Sequence, residues 1–319
     1  MENAESGKLQ LVEEIERLRR EKNAVILAHY YTLGEVQDVA DFVGDSLALA
    51  QKAAATDADV IVMCGVHFMG ETCKILCPDK KVLVPDLAAG CSLADSCPAD
   101  EFGKFVDAHP GYTVLSYVNT TAAVKAHTDI VVTSSNARRI VDSLPEDAKI
   151  IFGPDRNLGS YLNAVTGRQM LLWDGACHVH EQFSVDAIVA LKHEHPGAKV
   201  LVHPECKRPV VLLADKVGST AALLNFAVED DCEEFIVATE SGILHEMQKQ
   251  APHKRFIPVP PEVSEGSVGC SCNECAYMRM NTLEKLRDCL RDETPEIHVD
   301  PAIIDRARLP IDRMLELSK

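Results

Sequence analysis

The sequence predicts an α/β protein made of three copies of one unit, each with a small parallel sheet between helices. Three observations carry this. Short runs of continuous Val, Ile and Leu alternate with helix-length segments, and strands that are apolar throughout are those buried on both faces of a parallel sheet. Strand then helix, repeated along the chain, is the pattern of layered α/β folds. The same kinds of polar residue recur at strand ends with a period near 90 residues, far beyond the roughly 20–50 residues of solenoid repeats.

The first element is an amphipathic helix over 9–22, with Leu11, Ile15 and Leu18 on one stripe. Strands are expected at 24–29, 60–64, 81–85, 113–118, 130–133, 149–152, 170–173, 199–203, 210–214, 234–238 and 255–259. Those at 24–29, 113–118 and 199–203 run out into polar pairs two residues apart: His29 and Tyr31, Tyr117 and Asn119, His203 and Glu205. Seventeen residues after the first member of each pair stands a hydroxyl, at Ser46, Ser134 and Thr220, opening a helix-like run. These starts lie 88 and 86 residues apart. Another strand follows, ending in a turn and helix start (MCGVHFMGE, FGPDRNLGS, ATESGILHE), then a third with a cysteine in its loop. Those cysteines are Cys91, Cys177 and Cys275, separated by 86 and 98 residues; the loop-like stretch at 262–269 absorbs the difference. The expected division is 1–110 (leading helix and first repeat), 111–196 (second repeat) and 197–319 (third repeat and C-terminal segment). Ligands of open α/β sheets bind beyond the carboxyl ends of the strands, so three such ends facing one centre make one shared site.

Composition narrows the function. Lys and Arg number 32 against 49 Asp and Glu, a formal charge of −17 with no basic run, which argues against nucleic acid. A small anion is still admissible, because helix N-termini hold one locally. With 46% apolar and 25% charged residues the chain has globular composition. No apolar run approaches the roughly 18 residues of a membrane helix, and the first residues lack a signal-peptide core; a cytoplasmic protein without membrane partners is expected. Neither GxGxxG after the first strand, nor GxxxxGK[ST], nor CxxxCxxC occurs.

Twelve cysteines are too dilute for a disulfide scaffold. One per repeat, at matched positions, suggests three thiolates meeting at a point. Structural zinc wants four ligands, whereas three thiolates suit an iron–sulfur cubane with one iron open as a Lewis acid. Cys270-x-Cys272-x-x-Cys275 leaves part of a zinc knuckle open as an alternative. His29 and His203 end buried strands and suit proton transfer or hydrogen bonding to substrate oxygens. Tyr31 and Tyr117 offer phenols, Asn119 an amide, and Glu205 a base whose pKa rises if burial dominates. Ser46, Ser134, Ser219 and Thr220 are read as helix caps that also grip an anion. His178 and His180, beside Cys177, are weaker candidates for supporting roles.

The stretches ILAHYY, VGDSLALA, VHFMGETCKIL, PDLAAGCSLADSC, SYVNT, TSSNA, FGPDRNLG, GACHVHEQF, HPEC, GSTAALL, ATESGIL and CAYMRMNTLEKL span residues 24–288. In them the chain resembles the quinolinate synthase family, the type A iron–sulfur enzymes of de novo NAD biosynthesis. The resemblance implies three similar three-layer αβα domains around a pseudo-threefold axis with a central active site. It implies one 4Fe-4S cluster on Cys91, Cys177 and Cys275, one iron open. It implies condensation of iminoaspartate with dihydroxyacetone phosphate to quinolinate, phosphate and two waters, with an aspartate-oxidising enzyme supplying the iminoaspartate. Tyr31, His203 and Glu205 match acid–base positions; His29, Ser46, Tyr117, Asn119, Ser134, Ser219 and Thr220 match substrate contacts. One departure is CxCxxC at the last ligand, where some members carry CxxCxxC. Another cluster-dependent hydro-lyase, or a non-catalytic metal or redox sensor, are the alternative readings.

Overall fold

The computed structural model describes residues 2–261 and 273–319, the side chains from residue 6 onward. The stretch at 262–269, with Cys270 and Cys272, lies outside the described residues.

The first unit contains β1 (Ala24–His29), β2 (Phe42–Gly44), β3 (Val60–Cys64) and β4 (Lys81–Leu83). The second contains β5 (Thr113–Tyr117), β6 (Ile130–Val132), β7 (Ile150–Gly153) and β8 (Leu171–Leu172). The third contains β9 (Lys199–Val202), β10 (Lys216–Val217), β11 (Glu234–Ala238) and β12 (Arg255–Pro258). Each set forms one all-parallel sheet, in the order β2-β1-β3-β4, β6-β5-β7-β8 and β10-β9-β11-β12. The three sheets, flanked by helices, are three αβα layers of the same topology. Among their central strands, β1, β3 and β7 are buried throughout and β5, β9 and β11 in all but the first residue, which is why they are apolar without alternation.

One side-chain device recurs in all three sheets. An Asp just before each second strand exchanges bonds with the third or second residue of the neighbouring first strand. Asp41 accepts from the Ile26 N–H (2.8 Å), Asp129 from Val114 (2.8 Å) and Asp215 from Val200 (2.7 Å). Each Asp N–H returns a bond to the carbonyl of that same residue, at 2.9 Å in every case. The charge-assisted bond ties the edge strand to the centre of its sheet where only two or three ladder residues are available.

The sequence reading and the structure differ at identifiable points. The apolar run at 210–214 is not a strand; the helix Arg208–Val211 occupies its start, with Pro209 in the first turn, and the edge strand is Lys216–Val217. Proline pre-sets the helical φ and lacks an N–H for a ladder. Phe42–Gly44 is a strand that a three-residue run concealed. The leading helix spans Glu2–Glu21 and buries Ile15 and Leu18. The C-terminal helices leave the third sheet altogether: Leu283–Asp292 lies along Glu2–Glu21, and Pro301–Leu317 packs on β6 and on the helices Ala122–Lys125 and His67–Leu76. Pro301–Leu317 clasps the first two units together through Ala307, Ile311 and Met314, all buried. Among the described residues no helix is long and apolar enough to cross a membrane.

Replacing Asp129 by Ala leaves the Val114 N–H without its acceptor. Urea unfolding should register a loss of about 1–3 kcal/mol; an unchanged midpoint and slope would show that the strand does not depend on this bond.

Candidate active site

The carboxyl ends of the three sheets converge on one cavity. His29, Tyr31, Asp45, Ser46, Cys91 and Ser92 from the first unit reach it, as do Tyr117, Asn119, Ser134, Cys177, His178 and His180 from the second. The third unit adds His203, Glu205, Thr220, Glu240 and, from the following segment, Cys275 and Tyr277. Of the candidate site residues read from the sequence that fall among the described residues, only Ser219 is missing from the wall. Its hydroxyl caps the helix Thr220–Glu229, accepting the Ala222 N–H at 3.3 Å.

Neither Ser46 nor Ser134 caps a helix, and a neighbour does so only for the first. Asp45 caps Ser46–Ala55, and Asn136 precedes Ala137–Ser143 while its side-chain oxygen takes the Thr133 N–H. Ser46, Ser134 and Thr220 thus keep their hydroxyls on the cavity. Two ten-residue helices start there, and their N-terminal dipoles make a locally positive region in a strongly acidic chain.

Hydrogen bonds across the cavity join different units. The Tyr117 hydroxyl donates to Glu205 Oε1 at 2.6 Å. Tyr31 bonds both Thr220 and Thr239 at 2.8 Å. Ser92 meets His178 Nδ1 at 2.5 Å. Gly242 fits only because it lacks a side chain: a Cβ there would stand 2.7 Å from Tyr31 Cα.

Protonation follows from this geometry. Burial pushes His29 down to about 4 and His203 to about 3, so both rings are neutral near pH 7. The Tyr31 N–H approaches His29 Nδ1 at 3.1 Å and the Glu205 N–H approaches His203 Nδ1 at 3.4 Å. That places the ring proton on Nε2 in each, as a donor. Burial holds Tyr31 and Tyr117 well above the ordinary phenol range, so both remain protonated. Glu205 corrects an expectation. Burial does raise its pKa, but the His180 and His203 rings and the Tyr117 hydroxyl outweigh that and hold it at about 2. It is a buried carboxylate, not a buried acid.

His180, which the sequence ranked low, sits at the centre. It is buried, stacks on His203 with ring centroids 4.7 Å apart, and places Nδ1 3.3 Å from Glu205 Oε2. Its signal lay in its closeness to Cys177: the helical turn that follows this cysteine lines the cavity from Cys177 through His180. Cys177, His180 and Glu205 offer donor atoms within 4.8 Å of one another, a set able to hold a metal ion.

The three cysteines are all free thiols. Each is at or near the start of a helical turn, with backbone N–H groups directed at sulfur: from Leu93 and Ala94 to Cys91, from His180 to Cys177, from Tyr277 and Met278 to Cys275. Burial nonetheless raises all three thiols, Cys91 to about 12. Three such sulfurs, one per unit, fit a soft metal centre whose positive charge would offset that burial.

Fold and cavity define the class: a triplicated α/β enzyme whose active centre belongs to no single repeat and is lined by thiols, imidazoles and phenols. The family model described as quinolinate synthetase A protein matches residues 13–316. A quinolinate synthase of Thermosynechococcus vestitus is 57% identical over 310 residues, covering 97% of this chain and 96% of its own. Those of Chloroherpeton thalassium (55%, 98% and 96% covered) and Microcystis aeruginosa (56%, 95% and 94% covered) are comparably similar. The chain belongs to the quinolinate synthetase A family.

The two buried histidines set an acid limit on stability. They gain protons on unfolding, so their contribution is complete above pH 6.5 and is lost as pH falls through about 4 and then about 3. Unfolding free energy measured between pH 7 and pH 4 should therefore decline toward acid. The decline should flatten in the His29→Gln/His203→Gln variant; an identical slope in that variant would remove these rings as its source.

Proposed function

We propose that the chain is a quinolinate synthase of NAD biosynthesis, condensing iminoaspartate with dihydroxyacetone phosphate and releasing phosphate and two waters. The observation that carries this is the cavity itself. One thiol from each unit opens into a space lined by the neutral imidazoles of His29 and His203, the protonated phenols of Tyr31 and Tyr117, the ionised Glu205 carboxylate and hydroxyls at or near helix starts. Both substrates are anionic, and their carboxylates and phosphate suit Ser46 and Thr220 at the two helix starts and Ser134 beside them on the cavity, with Asn119 orienting a carboxylate.

Cys91, Cys177 and Cys275 would hold a 4Fe-4S cluster, which when bound supplies a Lewis acid for oxygen functions of the substrate. The protein's own groups do the rest. His29 and His203 donate Nε2–H to substrate oxygens. Tyr31 carries the proton to be delivered, its phenol aligned by Thr220 and Thr239. Glu205 is the proton acceptor at its carboxylate oxygens. Its low pKa makes it a weak base alone, and an anionic substrate set against it raises its proton affinity. Tyr117 keeps it oriented. Ser219 acts through the helix it caps. Iminoaspartate would come from an aspartate-oxidising enzyme. A reducing cytoplasm suits the free thiols.

Cys177, His180 and Glu205 favour a second reading, a single metal ion in place of the cluster. Metal analysis of protein purified without oxygen separates them. About four irons and four sulfides per chain, with quinolinate formed from the two substrates, is expected; about one zinc without sulfide would overturn the cluster reading. Cys91→Ser, Cys177→Ser and Cys275→Ser should each abolish iron binding and turnover. Tyr31→Phe and Glu205→Gln should keep the iron and reduce kcat by about 10²–10⁴-fold. Iron loss in either of the latter would make that residue structural.

A further inference from the structure

The three cysteine arms are held by one backbone device repeated three times. The residue that starts the chain after each third strand donates its N–H to the carbonyl two positions before the cysteine. His67 bonds Ala89 at 2.7 Å, Arg156 bonds Gly175 at 2.9 Å and Ser241 bonds Asn273 at 3.2 Å. The residue just before each donor is therefore equivalent in the repeat: Val66, Asp155 and Glu240. All three are buried, and they differ in kind.

Asp155 uses both oxygens. Oδ1 takes the Leu158 N–H at 2.7 Å as a helix cap, and Oδ2 takes the N–H of Cys177 at 3.3 Å. Glu240 does the same in the third unit. Oε1 takes the N–H of Cys275 at 3.0 Å and contacts Arg279 at 3.4 Å, while Oε2 takes the Gly242 N–H at 2.7 Å. Two buried carboxylates thus fix the backbone of two cysteines, each anchored at its other oxygen to the turn that follows its own sheet. Val66 has no polar atom to offer Cys91. That arm is held instead through its next residue, Ser92, against His178.

We infer that Asp155 and Glu240 are positioning residues for Cys177 and Cys275, latching two of the three cysteine arms by their main chain and leaving the Cys91 arm the loosest of the three. The inference rests on the cluster reading above. A carboxylate would be a poor neighbour for thiolates on charge alone. Its bond to the cysteine N–H explains why it is there: each arm's backbone is fixed before the sulfur engages anything, and in the third unit Arg279 also offsets the Glu240 charge. Such supporting bonds typically change metal affinity by about ten- to a hundredfold.

The test is iron release from the anaerobically purified protein under a ferrous chelator. Asp155→Asn and Glu240→Gln conserve size, yet each turns an NH2 toward a backbone N–H that needs an acceptor. Release should accelerate about ten- to a hundredfold in each. Ser184→Ala, which removes the cap of the helix Val185–Glu194 away from the cavity, should lower thermal stability without changing release. Unchanged release in both carboxamide variants, or equal acceleration in Ser184→Ala, overturns the inference. Amide hydrogen exchange on the wild-type protein gives a readout that needs no variant to fold: slower exchange at Cys177 and Cys275 than at Cys91 is expected, and equal rates overturn it. Wild-type protein holding no sulfide refutes the cluster reading, while the exchange rates still decide the latch.

Discussion

The buried Glu205 carboxylate is the group on which the centre of the molecule depends. It stands where the second and third units meet, bonded by the Tyr117 hydroxyl at 2.6 Å with His180 and His203 3.3 and 3.6 Å away. A charge taken out of water at this depth is costly unless neighbours satisfy it, so its partners are constrained in turn. The His180 ring stacks on His203, the Glu205 carbonyl accepts Asn157 Nδ2 at 3.0 Å, and Asn157 also reaches Glu181. The site is assembled by satisfying one ion, and that requirement brings together side chains from two units and orients the helical turn that follows Cys177.

Triplication explains why such a site arises where it does. A parallel sheet exposes its strand carboxyl ends and the helix starts beyond them. Three copies facing inward supply three sets of strand-end side chains, three hydroxyls and three cysteines at once. The repeats hold their own geometry by the same Asp-to-strand bond and the same backbone bond behind each cysteine. Chemistry enters where symmetry is broken: His and Tyr in the first unit, Tyr and Asn in the second, His and Glu in the third; Val, Asp and Glu behind the cysteines. Equivalent backbone positions carry different functional groups, so a threefold scaffold surrounds an asymmetric reaction.

The net charge of the whole chain does not describe the site. The formal charge is −17, yet helix N-termini, neutral imidazoles and phenolic protons face the cavity. Burial is the common cause. It keeps His29 and His203 uncharged, Tyr31 and Tyr117 protonated and the three cavity thiols high. Surface acids are separated from this region by protein and by solvent screening, and so bear little on what the cavity binds.

Much of this was legible in the linear order of residues. Continuous apolar runs named the central strands, because strands buried on both faces need no alternation. The 88- and 86-residue spacing between His29, Tyr117 and His203 named the repeat and the side from which the site is lined. The three cysteines followed from the same register. What the chain order left undecided depended on depth and on contacts between units. A two-residue edge strand such as Lys216–Val217 carries too little pattern to see, and Pro209 turned an apolar run into a helix. Ser219 and Thr220 are adjacent hydroxyls, and only the path of the backbone assigns one to capping and the other to the cavity. His180 gained its place, and Glu205 its low pKa, from neighbours a unit away. Local pattern sets which face of an element is apolar and where it ends; the protonation and partners of a buried polar group are set by whatever the rest of the fold packs against it.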